Sequence, residues 1–297
     1  MSDHKITINT PFNEQYELII KMDSKLIDSY MVSRTVMRYD FTVINCDETG
    51  LECRLILLDQ FLDQSNNDLV KEVAQVTAAF NRMFNELHLR LSHAGEIIKV
   101  LNMDLILAKW EQTKIEMTAA VANNDDLKKL IAINDSLFTN ADKLKGAIQN
   151  SEFLHMYFGQ VFYVDLPKTK RIVSPNILNT ANLEWDMKIE EQVTNSRPDD
   201  KVIMVNMHPV RPLSEGYINA AYHQFKDRID LEHLNFNMFQ KEERYIESNT
   251  GKLKESVVEK VEEIGHNQLY QKFTYRMISD SEKKKQKINQ NEVVPRF

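Results

Sequence analysis

Glycine is scarce in this sequence of 297 residues, which contains seven, whereas an average chain of this length contains roughly 20. The two that lie nearest to each other, Gly146 and Gly159, are separated by 12 other residues. Phosphate-binding loops, dinucleotide-binding fingerprints, nucleophile elbows and the glycine-rich loops of kinases all place two or more glycines within a few positions. The sequence therefore excludes these four classes of site.

Cysteine and long apolar segments are equally rare. The two cysteines, Cys46 and Cys53, flank a turn at residues 47–50, where a hairpin would bring them near one another and allow one disulfide. Residues 1–5 lack the charged-then-apolar pattern of an export signal, so we expect two reduced, partly buried thiols instead. No apolar run approaches the ~20 residues that span a bilayer. These features predict a cytoplasmic protein that does not insert into membranes.

The remaining composition is typical of a globular chain, with 42% hydrophobic and 27% charged residues. Lysine and arginine number 37 against 44 aspartates and glutamates, which gives a formal net charge of −7. Nucleic acids and anionic membrane surfaces both favour a basic face on their partners. We therefore expect no nucleic-acid partner.

The first hundred residues have the alternation and turn residues of antiparallel strands. Residues 41–45 and 51–58 flank a turn that ends at Gly50, which is typical of a hairpin. Residues 87–92 and 97–101 flank a second turn. Because side chains alternate between the two faces of a strand, each hairpin places one apolar face towards a core.

Helical spacing dominates the middle of the chain. Apolar residues recur at steps of three and four from Leu69 to Phe84, and again through residues 102–160. Strand-like alternation returns in residues 183–189 and 202–205, with a short helix predicted from Tyr217. A terminal meander is predicted from strands near residues 234–239, 244–247, 252–262 and 269–278.

This order of elements predicts an α+β fold, in which antiparallel hairpins and a C-terminal strand meander form one or two curved sheets around a central helical block. We expect an N-terminal α+β region at residues 1–162, with the helical block at 102–160, and a mainly-β region at 163–279. A charged flexible tail would follow at residues 280–297. A single continuous domain is the alternative.

Histidines and carboxylates give no recognisable metal or acid–base motif. His88 and His93 lie across a strand end and a turn, where two imidazoles would not converge on one ion. His208, His223 and His233 are geometrically able to meet, but their spacing does not support it. Neighbouring carboxylates are expected to be solvated surface groups, and they are Asp125-Asp126, Glu190-Glu191, Asp199-Asp200, Glu242-Glu243 and Glu262-Glu263.

No nucleophile is assigned either. Cys53 lies on the predicted core face of its strand, where it is expected to act as a small apolar residue. Ser281 and Lys284 have a Ser/Lys spacing, but they lie in a charged segment where nothing would desolvate the lysine. The lysines between Lys283 and Lys287 have no interleaved aromatic residues for stacking on bases. We assign no catalytic, cofactor-binding or metal-binding residue, and no binding residue.

Aromatic residues and methionines cluster in two places. One cluster runs from Phe153 to Tyr163 and the other from Tyr217 to Phe239. They fill a core between helices and sheet or, as the alternative, enclose an apolar ligand. A terminal meander after alternating helices and strands loosely resembles the half-barrels of lipoprotein carriers, although no motif carries the likeness and no family is assigned.

These observations leave three hypotheses of different classes. The first is a non-catalytic bacterial cytoplasmic protein that binds another protein or itself, as an adaptor, chaperone or assembly component. The second is a carrier or sensor of a small apolar ligand held between sheet and helices. The third is an enzyme whose residues converge only in the fold, and its candidates are His208, His223, His233, Glu232 and Glu242.

Overall fold

The computed structural model describes residues 5–120, 125–138, 140–195, 197–228, 235–265 and 268–292. Eleven strands in this part form one antiparallel sheet in the order β5-β4-β3-β2-β1-β11-β10-β9-β8-β7-β6. The strands are β1 Phe12–Leu26, β2 Ser29–Asp47, β3 Gly50–Ser65, β4 Glu86–Leu91, β5 Ile97–Val100, β6 Lys168–Pro175, β7 Asn182–Gln192, β8 Asp200–Pro209, β9 Phe236–Glu247, β10 Leu253–Ile264 and β11 Leu269–Ser279.

The sheet consists of two meanders that meet at its centre. Strands β1 to β5 follow one another outwards on one side, and β11 back to β6 do so on the other. The first and last strands pair along eleven positions, from Tyr16 opposite Ser279 to Leu26 opposite Leu269. The two regions predicted from the sequence therefore share one sheet, and their division into domains stays a prediction.

Seven α-helices accompany the sheet in the described part of the chain: α1 Asp68–Asn81, α2 Met103–Ala120, α3 Asp125–Phe138, α4 Ala141–Gln149, α5 Glu152–Phe158, α6 Glu215–Tyr222 and α7 Asp280–Glu292. Polar residues start several of them. The Asn67 side chain accepts a hydrogen bond from the Val70 amide at α1, and Ser214 accepts one from the Tyr217 amide at α6. Helices α2 to α5 connect the two outer edges of the sheet, β5 and β6.

Helix α5 packs against the middle of the sheet and contacts β10 and β11. Its side chains are largely apolar and buried, and the Phe153 ring lies 5.2 Å from the ring of Phe41 on β2. The Tyr157 hydroxyl accepts a hydrogen bond of 3.2 Å from the Leu253 amide, which ties the helix to β10. The predicted aromatic cluster around Phe153 is thus part of the core. We call the face of the sheet that this helix covers the α5 face.

The mixed α+β class, both N-terminal hairpins and the central helical block are confirmed. The terminal meander differs in one respect, because the strands expected near residues 234–239 and 244–247 are the single strand β9, Phe236–Glu247. The charges of Lys241, Glu242 and Glu243 interrupt the apolar pattern there. They do not interrupt the strand, since Glu242 is paired with Arg244 on the same face.

The segment expected to be a charged flexible tail forms α7 over Asp280–Glu292. The Ser279 hydroxyl accepts a 3.2 Å hydrogen bond from the Glu282 amide at the start of this helix. The Glu282 carboxylate lies 3.2 Å from the Arg197 guanidinium, and Lys283 lies 2.7 Å from Glu17. Tertiary ion pairs, which the local charge pattern does not reveal, hold this helix against the sheet.

Candidate functional site

Two adjoining cavities lie between the α5 face of the sheet and α5 with the turn that follows it. Their volumes are about 610 Å³ and 370 Å³. Both are lined by His155, Gly159, Gln160, Lys260 and Tyr275, so they meet at these residues. We call the combined space the Lys260 cleft.

Strand register builds the floor of the Lys260 cleft. Lys260 lies on β10 directly opposite Gln240 of β9 and Phe273 of β11. The row continues through Met207 of β8 to Met187 of β7. Because residues opposite each other in antiparallel strands share a face, all five point to the α5 face. One lysine thus lies in the middle of a largely apolar row.

The smaller cavity has the more apolar wall. Methionine, aromatic and aliphatic side chains surround it on several strands, namely Ile172, Trp185, Met187, Met207 and Phe273. Trp185 is 2% exposed, and its Nε1 has no hydrogen-bond partner in the structure. Buried indole N–H groups usually have a partner. Trp185 Nε1 is therefore a buried donor without a partner among the described residues.

Lys260 has no carboxylate partner. Its Nζ lies 5.5 Å from the centre of the Tyr275 ring, and within the described ranges no carboxylate oxygen lies within 4.0 Å of it. Burial lowers the pKa of Lys260, and the more distant charges of Glu242 and Glu152 only partly oppose this effect. The cleft therefore holds a lysine to which none of the described carboxylates is a direct counter-ion.

His155 contributes a neutral ring to the same space. Burial lowers its pKa to about 4, so the imidazole is uncharged at neutral pH. Its Nε2 is buried and has no hydrogen-bond partner. His155 is thus the second ring in the cleft with an unpaired nitrogen.

A buried ion pair between Glu242 and Arg244 supports the cleft from β9. Burial alone would raise the pKa of Glu242, but the Arg244 guanidinium holds it below its usual range. Arg244 also donates a 3.2 Å hydrogen bond to the His155 carbonyl oxygen, and Gly159 makes room for its guanidinium. The Glu242 charge is therefore already neutralised and is not available to Lys260.

A second buried polar cluster lies beside the smaller cavity. Glu262 is fully buried on β10 and accepts hydrogen bonds from Tyr222 Oη at 2.6 Å, Asn176 Nδ2 at 2.8 Å and the Leu178 amide at 3.0 Å. Burial raises the pKa of Glu262, and these hydrogen bonds oppose the rise. All its oxygens have partners, so this cluster is structural. It fixes α6 and the loop after β6 to the sheet.

Three candidates of the enzyme hypothesis, His208, His223 and Glu242, are among the described residues, and the structure does not bring these three together. His208 is exposed on the face of β8 opposite to Met207, and His223 is exposed in the turn after α6. Glu242 is buried on the α5 face. Glu232 and His233 lie outside the described residues. In the described ranges no group of three or more His, Cys, Asp or Glu residues could hold a metal ion.

The expectation that the paired carboxylates are solvated is wrong for Glu242 and Glu262, which are 3% and 0% exposed. Adjacent residues in a strand point to opposite faces, so one member of each pair faces inwards. The Asp200 side chain is 6% exposed and pairs with Lys254. The side chains of Asp125 and Asp126 lie outside the described part.

The nucleophile candidates are occupied or inert. Both cysteines are free, and burial raises the pKa of the Cys53 thiol to about 12. The Ser281 hydroxyl donates a 2.7 Å hydrogen bond to Glu14, while Lys284 is exposed to solvent. Neither position has the activated side chain that nucleophilic catalysis requires.

Sequence patterns did not identify the residues that shape the cleft, which are Lys260, His155 and Trp185. One signal was present, because Lys260 and Glu262 have the same phase in β10 as the buried Val258. Charged residues at the inward-facing positions of an apolar strand indicate either a buried ion pair or a functional site. Only the tertiary structure shows that Glu262 has partners and Lys260 does not.

Among the described residues, none of the helices combines the length and the apolar character needed to cross a membrane. No protein-family model matches the sequence, and no curated protein matches it. A solved structure described as lipid–protein interactions in lipovitellin is similar to 90% of this chain, with 8% sequence identity and a TM-score of 0.41. The similarity covers 25% of that protein, so this chain spans about a quarter of its length, and a likeness of this degree assigns neither family nor function.

Proposed function

We propose that this protein is a carrier or sensor of a small, largely apolar ligand held in the Lys260 cleft between the sheet and α5. The observation that carries the proposal is the 370 Å³ cavity, one side of which is formed by Ile172, Trp185, Met187, Met207 and Phe273. Small-molecule sites are concave and combine apolar surface with polar groups that orient the ligand. The cavity combines this apolar side with polar side chains such as Gln160, Gln240 and Lys260.

The apolar side of the cavity gives it a reason to be occupied. The apolar part of a ligand would remove the methionine and aromatic surface there from water.

Binding of the neutral fluorescent probe N-phenyl-1-naphthylamine to the full chain tests the proposal. We expect saturable binding of one probe molecule per chain. Met207→Trp fills the cavity and should weaken binding about tenfold or more. Met204→Trp is the matched control, because Met204 lies on the same strand and points to the other face.

Two outcomes would contradict this function. One is the absence of saturable binding to folded wild-type protein. The other is equal binding by the Met207→Trp and Met204→Trp variants, both shown by circular dichroism to be folded. Organic extraction of freshly purified protein, followed by mass spectrometry, then identifies the natural ligand.

A second candidate function is self-association, which keeps the hypothesis of a protein-binding role open. Helix α1 has no buried residue, and it exposes Leu69, Val73 and Val76 by 66%, 57% and 45%. Their spacing places them on one side of the helix. Symmetric dimers are the commonest assemblies, so a second copy of this chain is the partner we propose for this side.

Sedimentation equilibrium tests the second candidate. Wild type and the control Gln75→Glu, which alters an exposed polar residue of α1, should sediment as dimers. The double variant Leu69→Glu/Val73→Glu should be monomeric, because dimerisation would bury the introduced glutamates of both copies. A monomeric wild-type protein contradicts self-association through α1.

Roles as an adaptor, chaperone, assembly component or enzyme stay predictions.

A further inference from the structure

Lys260 is the one residue of the smaller cavity whose charge has no direct counter-ion. Glu242 also lines this cavity, but its carboxylate is paired with Arg244 and accepts a 2.5 Å hydrogen bond from Gln240. The His155 ring is neutral at neutral pH. Of the two charged residues that line the smaller cavity, only Lys260 therefore has no direct ion-pair partner, and the buried Glu262 carboxyl group beside the cavity is held by neutral donors.

The larger cavity adds the charged residues Glu96, Glu152 and Lys170. Both glutamates are exposed, so water screens their charges. Lys170 is half-buried, and its ammonium donates to the side-chain oxygen of Gln160. Lys260 differs from all three because it lies at the junction of the two cavities.

We propose that the ligand of the Lys260 cleft is an amphipathic anion, whose anionic group pairs with Lys260 and whose apolar part lies against Met187, Met207 and Trp185. This inference rests on the proposed function and specifies the chemical class of its ligand. An ammonium in a partly desolvated site gains more from an anion than an exposed one does.

The apolar end follows from the geometry of the floor. The side chains beyond Gln240 are Met207 and then Met187, and Trp185 follows two positions from Met187 on β7. Methionine adapts its shape to irregular apolar ligands. A long-chain carboxylate is the simplest molecule with this distribution of charge and apolar surface.

Titration calorimetry with dodecanoate and dodecan-1-ol tests the inference, since the two probes share a chain length and differ in charge. We expect wild type to bind dodecanoate roughly tenfold or more tightly than the alcohol. Lys260→Gln should bind both with equal affinity. Lys241→Gln, the matched control, changes an exposed lysine that points to the opposite face of the neighbouring strand and should behave as wild type.

The possible results separate the two proposals. Equal binding of both probes by wild type overturns the anionic ligand and leaves the apolar ligand site intact. Retention of the dodecanoate preference by Lys260→Gln overturns the role of Lys260. Binding of neither probe contradicts the proposed function and this inference together. Lys260→Met, which keeps the aliphatic stem, replaces the glutamine variant if that one does not fold.

Discussion

Tyr222 of α6 donates a 2.6 Å hydrogen bond to Glu262 of β10, although the two residues are 40 positions apart in the sequence. In the described ranges no lysine or arginine lies within 4.0 Å of this fully buried carboxyl group. Neutral donors alone therefore satisfy it. The Tyr217 hydroxyl, 3.0 Å from that of Tyr222, continues the same chain of hydrogen bonds. The cluster attaches α6 to the sheet next to the smaller cavity.

Removal of the Tyr222 hydroxyl should destabilise the protein. Tyr222→Phe leaves a Glu262 oxygen without its shortest donor, and we expect the free energy of unfolding to fall by about 1–3 kcal/mol. Tyr270→Phe is the control, because the Tyr270 hydroxyl donates to Asp23 at a partly exposed position, and it should change stability by less than about 0.5 kcal/mol. Urea denaturation measures both. Equal stability of Tyr222→Phe and wild type would show that this hydrogen bond has no net effect.

The pKa of His155 predicts a loss of stability in mild acid. Burial holds this pKa at about 4 in the folded protein, under the combined influence of Glu242, Lys260 and Arg244, whereas an unfolded histidine titrates near 6.5. The unfolded chain therefore binds more protons between these two values, and the stability due to His155 is lost as the pH falls through this window. The loss is at most on the order of 3 kcal/mol.

Chemical denaturation across this pH range measures the effect. The variant His155→Gln should lose the part of the pH dependence that lies between about pH 6.5 and 4. His208→Gln, which changes an exposed histidine, should keep the wild-type profile. A His155→Gln profile with the wild-type slope would mean that the histidine titrates normally.

Two glycines should respond in opposite ways to the same substitution. Gly159 has φ +52°, and a Cβ there would collide with the Arg244 guanidinium, so Gly159→Ala should destabilise the protein by about 1–3 kcal/mol. Gly146 lies in α4 with nothing within 4 Å of a Cβ, and Gly146→Ala should stabilise by about 0.5–1 kcal/mol. Thermal unfolding compares them. The same sign of change in both variants would contradict this assignment.

Helix α7 should depend on its contact with Arg197. Glu282→Ala removes a largely buried carboxylate that lies 3.2 Å from the Arg197 guanidinium, and we expect faster tryptic cleavage at the lysines of α7. Lys287→Ala changes an exposed residue of the same helix and should leave cleavage at the remaining lysines unchanged. Mass spectrometry of timed digests gives the cleavage rates. Identical rates for Glu282→Ala and wild type would show that other contacts suffice.

Local patterns in the sequence were sufficient to predict the N-terminal hairpin and the central helical block. Alternation in Leu51, Cys53 and Leu55, with Gly50 at the turn, predicted a hairpin that the register of β2 and β3 confirms. Helical spacing predicted the block that forms α2 to α5. These signals are local because each depends on the periodicity of one element or on the backbone freedom of one turn residue.

Only the tertiary structure decided which inward-facing charges have partners. Alternation places Lys260 and Glu262 on one face, but the partners of Glu262 are 40 to 86 positions away, at Tyr222 and Asn176. The pairing of β1 with β11, which closes the two meanders into one sheet, is equally non-local. The glycine deficit excluded phosphate-cradling loops at the level of sequence alone. The ammonium of Lys260 is unpaired in an apolar cleft only because strands distant in sequence align around it. Whether a charge has a partner depends on its surroundings in space.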